Sequence, residues 1–240
     1  MLELRGVSKS FGGVHAVRDV SMTLERGQVH GLIGPNGAGK STLVNLISGL
    51  LTHSAGTMAL DGTALEGLNA AKRAELGIAR TFQNLRIFPT LTVGQNIDVA
   101  RYTAARTGRA ASLVDEATTR FDLASRLNER ADALAYGQLR RLEIVRALAL
   151  APKVLMLDEP AAGMNETETA ALGEALDWVR QETDCAFLVI DHDLKFIMAL
   201  CSRITVLNMG AVIAEGPPRE VSENRQVIDA YLGEDHENAA

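Results

Sequence analysis

The sequence predicts an α/β fold: a mixed, mostly parallel sheet with an antiparallel β region near the N-terminus, plus an inserted helical subdomain. Three observations carry this expectation. Segments 28–33, 154–157 and 186–190 are largely apolar runs, as strands buried on both faces should be. Helical spacing follows them, and alternating strands and helices favour parallel pairing. Between roughly 92 and 150 the chain turns rich in Ala, Leu and Arg and poor in Gly, which fits several helices in succession.

Taken in order, residues 2–8 and 16–24 have strand character, and 28–33 leads into a Gly-rich loop. A helix follows over 40–49. Residues 57–60 form a short strand before an Asp61-Gly62 turn. Leu139, Leu142, Val145 and Ala149 recur at helical spacing over 136–150, and Pro152 punctuates the end of that helix. The remainder reads as a strand at 154–157, a helix at 166–181 and a strand at 186–190. A short helix from Leu194, a strand at 203–208, a hairpin at Met209-Gly210 and a helix at 225–232 complete the chain.

The 240 residues are 47% apolar and 22% charged, which suits one large domain with an ample core. A net charge of −6 argues against a nucleic-acid binder, which is usually basic with a localised patch. Residues 101–146 nevertheless hold nine Arg, no Lys and six Asp/Glu, and these arginines read as solvated helix faces. Cys185 and Cys201 lack metal-ligand or CxxC spacing and read as free thiols of a reducing cytosol. The N-terminus lacks the apolar stretch of a signal peptide, and no run of about 18 apolar residues occurs. Any membrane role is therefore expected to come through a partner.

Gly34-Pro35-Asn36-Gly37-Ala38-Gly39-Lys40-Ser41-Thr42 matches the phosphate-loop pattern GxxxxGK[ST]. Glycines let the backbone wrap a phosphate chain closely, and N–H groups of the loop and the next helix point at the anion. Lys40 supplies a point charge to the β- and γ-phosphates, and Ser41 a hydroxyl to Mg²⁺. The four fixed positions arise by chance in roughly one in a hundred chains of this length, and here they also lie between an apolar strand and a helix. ATP and Mg²⁺ are thus the expected ligands. Val154-Leu155-Met156-Leu157-Asp158-Glu159 delivers two carboxylates to a strand's C-terminal end, where ligands sit in open α/β sheets. Asp158 is expected to hold Mg²⁺ and Glu159 to polarise the attacking water.

The NKxD base-reading motif of GTPases is missing. Instead Leu134-Ala135-Tyr136-Gly137-Gln138, about twenty residues ahead of Asp158, resembles the LSGGQ signature of ABC-type ATPases. Ala135 and Tyr136 replace its Ser and first Gly. Gln83 resembles the Q-loop glutamine, which also joins the metal's ligands, and His192 the switch histidine at the γ-phosphate. Ala161-Ala162-Gly163-Met164-Asn165 occupies the D-loop position, and Phe11 stands where an aromatic stacks on adenine. The chain looks like the ATP-binding subunits of branched-chain amino acid importers through Ala79-Arg80-Thr81-Phe82-Gln83, the signature variant with Leu139-Arg140-Arg141-Leu142-Glu143-Ile144, Glu159-Pro160-Ala161-Ala162-Gly163 and Ala230-Tyr231-Leu232-Gly233-Glu234. Two departures stand out. The stretch from Arg101 to Leu113 is short for that subgroup, and Asn165 replaces an Asp typical of the wider family.

The resemblance implies a P-loop NTPase core at 1–90 and 151–240 with the helical subdomain at about 91–150, all within one domain. It implies a head-to-tail homodimer or heterodimer with a second ABC ATPase. Each ATP would lie between one subunit's phosphate loop and the other's Ala135, Gly137 and Gln138. It further implies integral-membrane permease partners at the cytoplasmic face of the inner membrane and, indirectly, a periplasmic or extracellular solute-binding protein. Rival expectations are the ATPase of another ABC transporter, importer or exporter, a non-transport ABC ATPase, and a module that uses ATP only as a switch.

Overall fold

Alternating burial builds the N-terminal strands. β1 (Leu2–Phe11) buries Leu2, Leu4 and Val7, and β2 (Val14–Leu24) buries Val17, Val20, Met22 and Leu24. They pair antiparallel, and the computed structural model, which describes residues 1–106, 108 and 113–237, continues from them into β3 (Val29–Ile33) and α1 (Lys40–Ile47). β4 (Ala55–Leu60) and β5 (Thr63–Ala64) complete a four-stranded antiparallel sheet in the order β2-β1-β4-β5. α2 (Ala70–Leu76) then leads into β6 (Ile78–Arg80).

The helical stretch holds α3 (Val93–Arg106), α4 (Val114–Arg120) and α5 (Tyr136–Leu148), with single 3₁₀ turns at Ala124–Arg126 and Ala131–Ala133. Five residues of the stretch noted as short (107 and 109–112) lie outside the described residues. Beyond it come β7 (Val154–Asp158), α6 (Glu166–Glu182), β8 (Ala186–Ile190), α7 (Leu194–Leu200), β9 (Arg203–Asn208), β10 (Ala211–Gly216), α8 (Pro218–Ser222) and α9 (Arg225–Glu237).

The second sheet runs β10-β9-β3-β8-β7-β6, parallel except for the β9–β10 hairpin. Successive side chains of a strand point to opposite faces, and this divides the core into two layers. Val154, Met156, Leu188 and Leu207 pack with α1 and the antiparallel sheet. Leu155, Leu157, Phe187 and Val206 pack with α5, α6 and α7. The central strands β7 and β8 are covered on both faces, which is why 154–157 and 186–190 are apolar throughout.

Boundaries shift from the sequence expectation where backbone conformation intervenes. The helix expected over 40–49 stops at Ile47, because Gly49 takes a left-handed conformation (φ 77°). The helix expected to reach 150 ends at Leu148, and Ala151 turns left-handed before Pro152. α2, β6 and α8 have no counterpart in the expected element order. The arginines of 101–146 are not all solvated either: Arg140 is fully buried, because the Phe82 and Gln83 carbonyls and the Glu143 carboxylate supply its acceptors.

Asp61, in the β4–β5 turn, draws together the Met1 ammonium (2.7 Å), Lys153 (2.8 Å) and Arg26 (3.0 Å). Hydrogen bonds from Lys153 and the N-terminus hold its carboxyl well below the usual carboxylate range. Since Lys153 directly precedes β7, this cluster ties the two sheets together. Cys185 and Cys201 are both buried free thiols, and burial pushes each up to about 12, so they are protonated and unreactive at neutral pH.

Candidate active site

Four loops leave the C-terminal ends of adjacent parallel strands: the Gly-rich loop from β3, residues 191–193 from β8, Glu159 from β7 and the Gln83 loop from β6. This is the edge where open α/β sheets place ligands.

The Gly-rich loop requires its glycines. At Gly34 (φ 145°) a Cβ would lie 2.0 Å from the Leu207 carbonyl oxygen, and at Gly39 (φ 104°) 2.3 Å from that of Ala16. The β9–β10 turn braces the loop from behind, with Gly210 N–H donating to the Ala38 carbonyl at 3.0 Å. The Lys40 ammonium lies across the loop and donates to the carbonyls of Gly34 and Pro35. Asn36, Gly37 and Ser41 are exposed, Thr42 and Gly39 half-buried, and Ala38 buried. Ser41 and Thr42 sit in the first turn of α1, where helix N–H groups favour an anion.

Asp158 ends β7. Its N–H donates to Thr81 Oγ1 (3.0 Å) and its carboxylate receives Arg80 at 3.4 Å. Burial raises its carboxyl pKa above the ordinary value, with Arg80 and Arg140 pulling the other way. Glu159 has a left-handed backbone (φ 51°), unusual for a non-glycine residue. Its N–H is fixed on the Ile190 carbonyl at 2.7 Å. His192 is exposed at 75%, with Nδ1 3.5 Å from the buried Asp191 carboxylate. Asp191 in turn accepts from the N–H groups of Ala161 (3.2 Å) and Asp193 (3.0 Å), linking the 161–165 loop to the histidine loop.

Gln83 is exposed on the loop after β6. Phe11, 47% exposed under Lys9, lies near the tip of the β1–β2 hairpin, whose Ala16 abuts Gly39. The 135–138 turn stands apart from the Gly-rich loop at the start of α5, where Gly137 faces Met164 and Glu168. Gln138 is engaged locally: its Oε1 accepts from Ala135 N–H at 3.1 Å and so caps the helix. Asn165 likewise caps α6 through a reciprocal pair of bonds with Glu168 (both 3.0 Å).

Sequence reasoning missed Arg80, which bonds Asn45 Oδ1 (2.7 Å) and Ser48 Oγ (3.3 Å) of α1 as well as Asp158. It joins the helix behind the Gly-rich loop to the Asp158 carboxylate. Asp191, Arg140 and Glu143 were missed too. Buried polar residues at helical or strand-end positions carry no periodicity signal, and only their bonding partners identify them.

A family model described as ABC transporter matches residues 17–162, and a model described as branched-chain amino acid ATP-binding cassette transporter matches residues 211–237. The chain is 40% identical to the high-affinity branched-chain amino acid transport ATP-binding protein LivG of Salmonella typhimurium, over 98% of each chain. It is likewise 40% identical to BraF of Pseudomonas aeruginosa, a protein of the same description, over 98% of each. Among solved structures, the ADP conformation of MJ1267, an ATP-binding cassette of an ABC transporter, superposes with a TM-score of 0.86 at 26% identity, covering 97% of this chain and 98% of that one. The cassette sheet, its phosphate loop and the carboxylate pair at the β7 end therefore have one setting: the chain belongs to the ABC transporter family, as an ATP-hydrolysing ATP-binding subunit.

Proposed function

We propose that the chain powers uptake of branched-chain amino acids through permease partners, at the cytoplasmic face of the inner membrane. The observation that carries this is the 40% identity to branched-chain transport ATP-binding proteins over nearly the whole of both chains. No helix among the described residues is long and apolar enough to cross a membrane, so permeases are the route to the bilayer. A solute-binding protein on the far side would choose the solute.

The site residues take these roles. Lys40 and the N–H groups of 34–42 bind phosphates, and Phe11 stacks on adenine. Asp158, Ser41 and Gln83 offer carboxylate, hydroxyl and amide oxygens, the hard donor set that suits Mg²⁺. These three groups would hold Mg²⁺, which would supply positive charge against the negative charge that develops during phosphoryl transfer. Glu159 accepts a proton from the attacking water, and its pinned left-handed backbone fixes where the carboxylate points. His192 donates to the γ-phosphate, and Asp191 orients its ring through Nδ1. Ala135, Gly137 and Gln138 of a second subunit close over the same ATP. Residues 1–90 and 151–240 form the nucleotide core, and 91–150 the subdomain that carries this turn to the partner. The 83–89 loop meets the permease.

Replacing Glu159 by Gln keeps size and hydrogen bonding and removes the base. Mg-ATP binding should persist while phosphate release falls about a thousandfold or more. Wild-type turnover in that variant would remove Glu159 from its role. Deleting the gene should abolish uptake of radiolabelled leucine, isoleucine and valine, and unchanged uptake of all three would refute the solute assignment.

A further inference from the structure

The helix that bears the signature turn buries an ion pair on the face turned to the Gln83 loop. Arg140 is fully buried and Glu143 nearly so. Arg140 donates to the carbonyl oxygens of Phe82 (2.6 Å) and Gln83 (3.2 Å), to Glu143 Oε2 (3.1 Å) and to the Tyr136 hydroxyl (3.2 Å). Glu143 Oε1 accepts from the N–H groups of Arg86 (3.1 Å) and Phe82 (3.3 Å). Both polar edges of the 82–86 backbone are therefore gripped by one turn of α5. The Tyr136 ring lies against Gly163, where an added Cβ would come within 3.1 Å of Cδ1.

Stability alone is a weak account of such a pair. Desolvating two charges costs about what their attraction returns, and apolar replacements are often neutral. What the pair does provide is geometry. A guanidinium forks to two carbonyls, a carboxylate and a phenol at once, and a lysine in its place can reach only some of them.

We propose that Arg140 is a positioning residue that locks the Gln83 loop to the Tyr136–Gly137 turn. This rests on the functional reading above, in which Gln83 serves the subunit's own nucleotide and the 135–138 turn serves its partner's. A displacement of the 82–86 backbone then carries the signature turn with it, and the subunit's contributions to two different ATP molecules shift together. Tyr136, standing where the signature has a glycine, supplies the hydroxyl that connects the turn to Arg140.

The test uses the full-length chain, with steady-state ATPase kinetics and amide hydrogen exchange without nucleotide. In Arg140→Lys, kcat should fall about tenfold or more, the scale for small misplacements of reacting groups, with KM within about threefold of wild type. Exchange should quicken in both 82–86 and 134–140 while β7 and α6 keep their protection. Glu143→Gln, which keeps the acceptor for the two N–H groups, should retain more activity than Glu143→Ala. Turnover of Arg140→Lys within twofold of wild type, or faster exchange confined to one of the two segments, would overturn the proposal. Should Arg140→Lys fail to fold, Tyr136→Phe removes only the hydroxyl of a half-exposed ring. Faster exchange at 82–86 in that variant supports the link, and unchanged exchange refutes it. Failure of the functional reading would look different: Glu159→Gln would turn over normally while exchange at the two segments still rose together.

Discussion

Ala135 shows how much one missing oxygen can decide. It is the N-cap of α5, with extended backbone (ψ 156°) and no side-chain acceptor for the first helical N–H groups. In the proposed dimer it also lacks the hydroxyl that would donate to the γ-phosphate. Restoring serine should act twice. A capping bond adds about 1 kcal/mol to the folded chain without nucleotide. A hydrogen bond to a charged phosphate adds roughly 1.5–3 kcal/mol to ATP-dependent pairing. Ala135→Ser should therefore raise the melting temperature of the nucleotide-free protein and strengthen dimerisation of the Glu159→Gln protein with Mg-ATP in sedimentation. A higher melting temperature with an unchanged dimer constant would limit the effect to capping.

Strand β3 carries a histidine where its neighbours are apolar. His30 is fully buried and shares a 2.8 Å hydrogen bond with Thr205 of β9. Burial lowers its pKa to about 4, with nearby Glu215 opposing and Arg203 adding to the shift. The unfolded chain titrates near 6.5, so between pH 6.5 and 4 the unfolded state binds the extra proton. Stability is thus complete above pH 6.5 and falls as the pH drops toward 4, by about 2 kcal/mol at pH 5. Thermal melts from pH 7.5 to 5 should show this loss in the wild type and a smaller one in His30→Gln. Parallel losses in the two proteins would rule His30 out as the cause.

Across the whole molecule, the groove proposed to meet the permease is built from elements far apart in sequence. Arg80 and Arg86 stack on Phe82 at 4.5 and 5.1 Å, and Arg146 of α5 lies 4.9 Å over Phe88 while donating to the Arg86 carbonyl. Val99 and Thr103 of α3 complete the wall. The exposed Arg86 guanidinium beside the exposed Phe88 suits an acidic amphipathic partner segment. Arg86→Glu should cut transport by the assembled system about tenfold, a loss of 1.4 kcal/mol in docking, and change the ATPase rate of the isolated subunit far less. Crosslinking from this loop to a permease checks the contact, and equal losses in both activities would place Arg86 in catalysis instead.

Contiguous residues made the strands buried on both faces and the family legible, and the same local reading proposed the Gly-rich loop and the Asp158-Glu159 pair as the site. Hydrophobic period, glycine spacing and strand-end carboxylates are local signals. The α2 helix was legible in principle, since Asn69 caps its start and Gly77 ends it at φ 115°. Its lack of a clear apolar stripe hid it. β6 was too short to show a period, and gained its identity only by pairing with β7. The tertiary structure alone decided which arginines are solvated and which are buried. Arg140, buried, and Arg146, half-buried, have the same composition signal as the exposed Arg120, yet their carbonyl partners at Phe82 and Arg86 come from 58 and 60 residues away. A buried charge is stable only where distant chain segments meet it with the right acceptors, and that meeting is a property of the folded molecule.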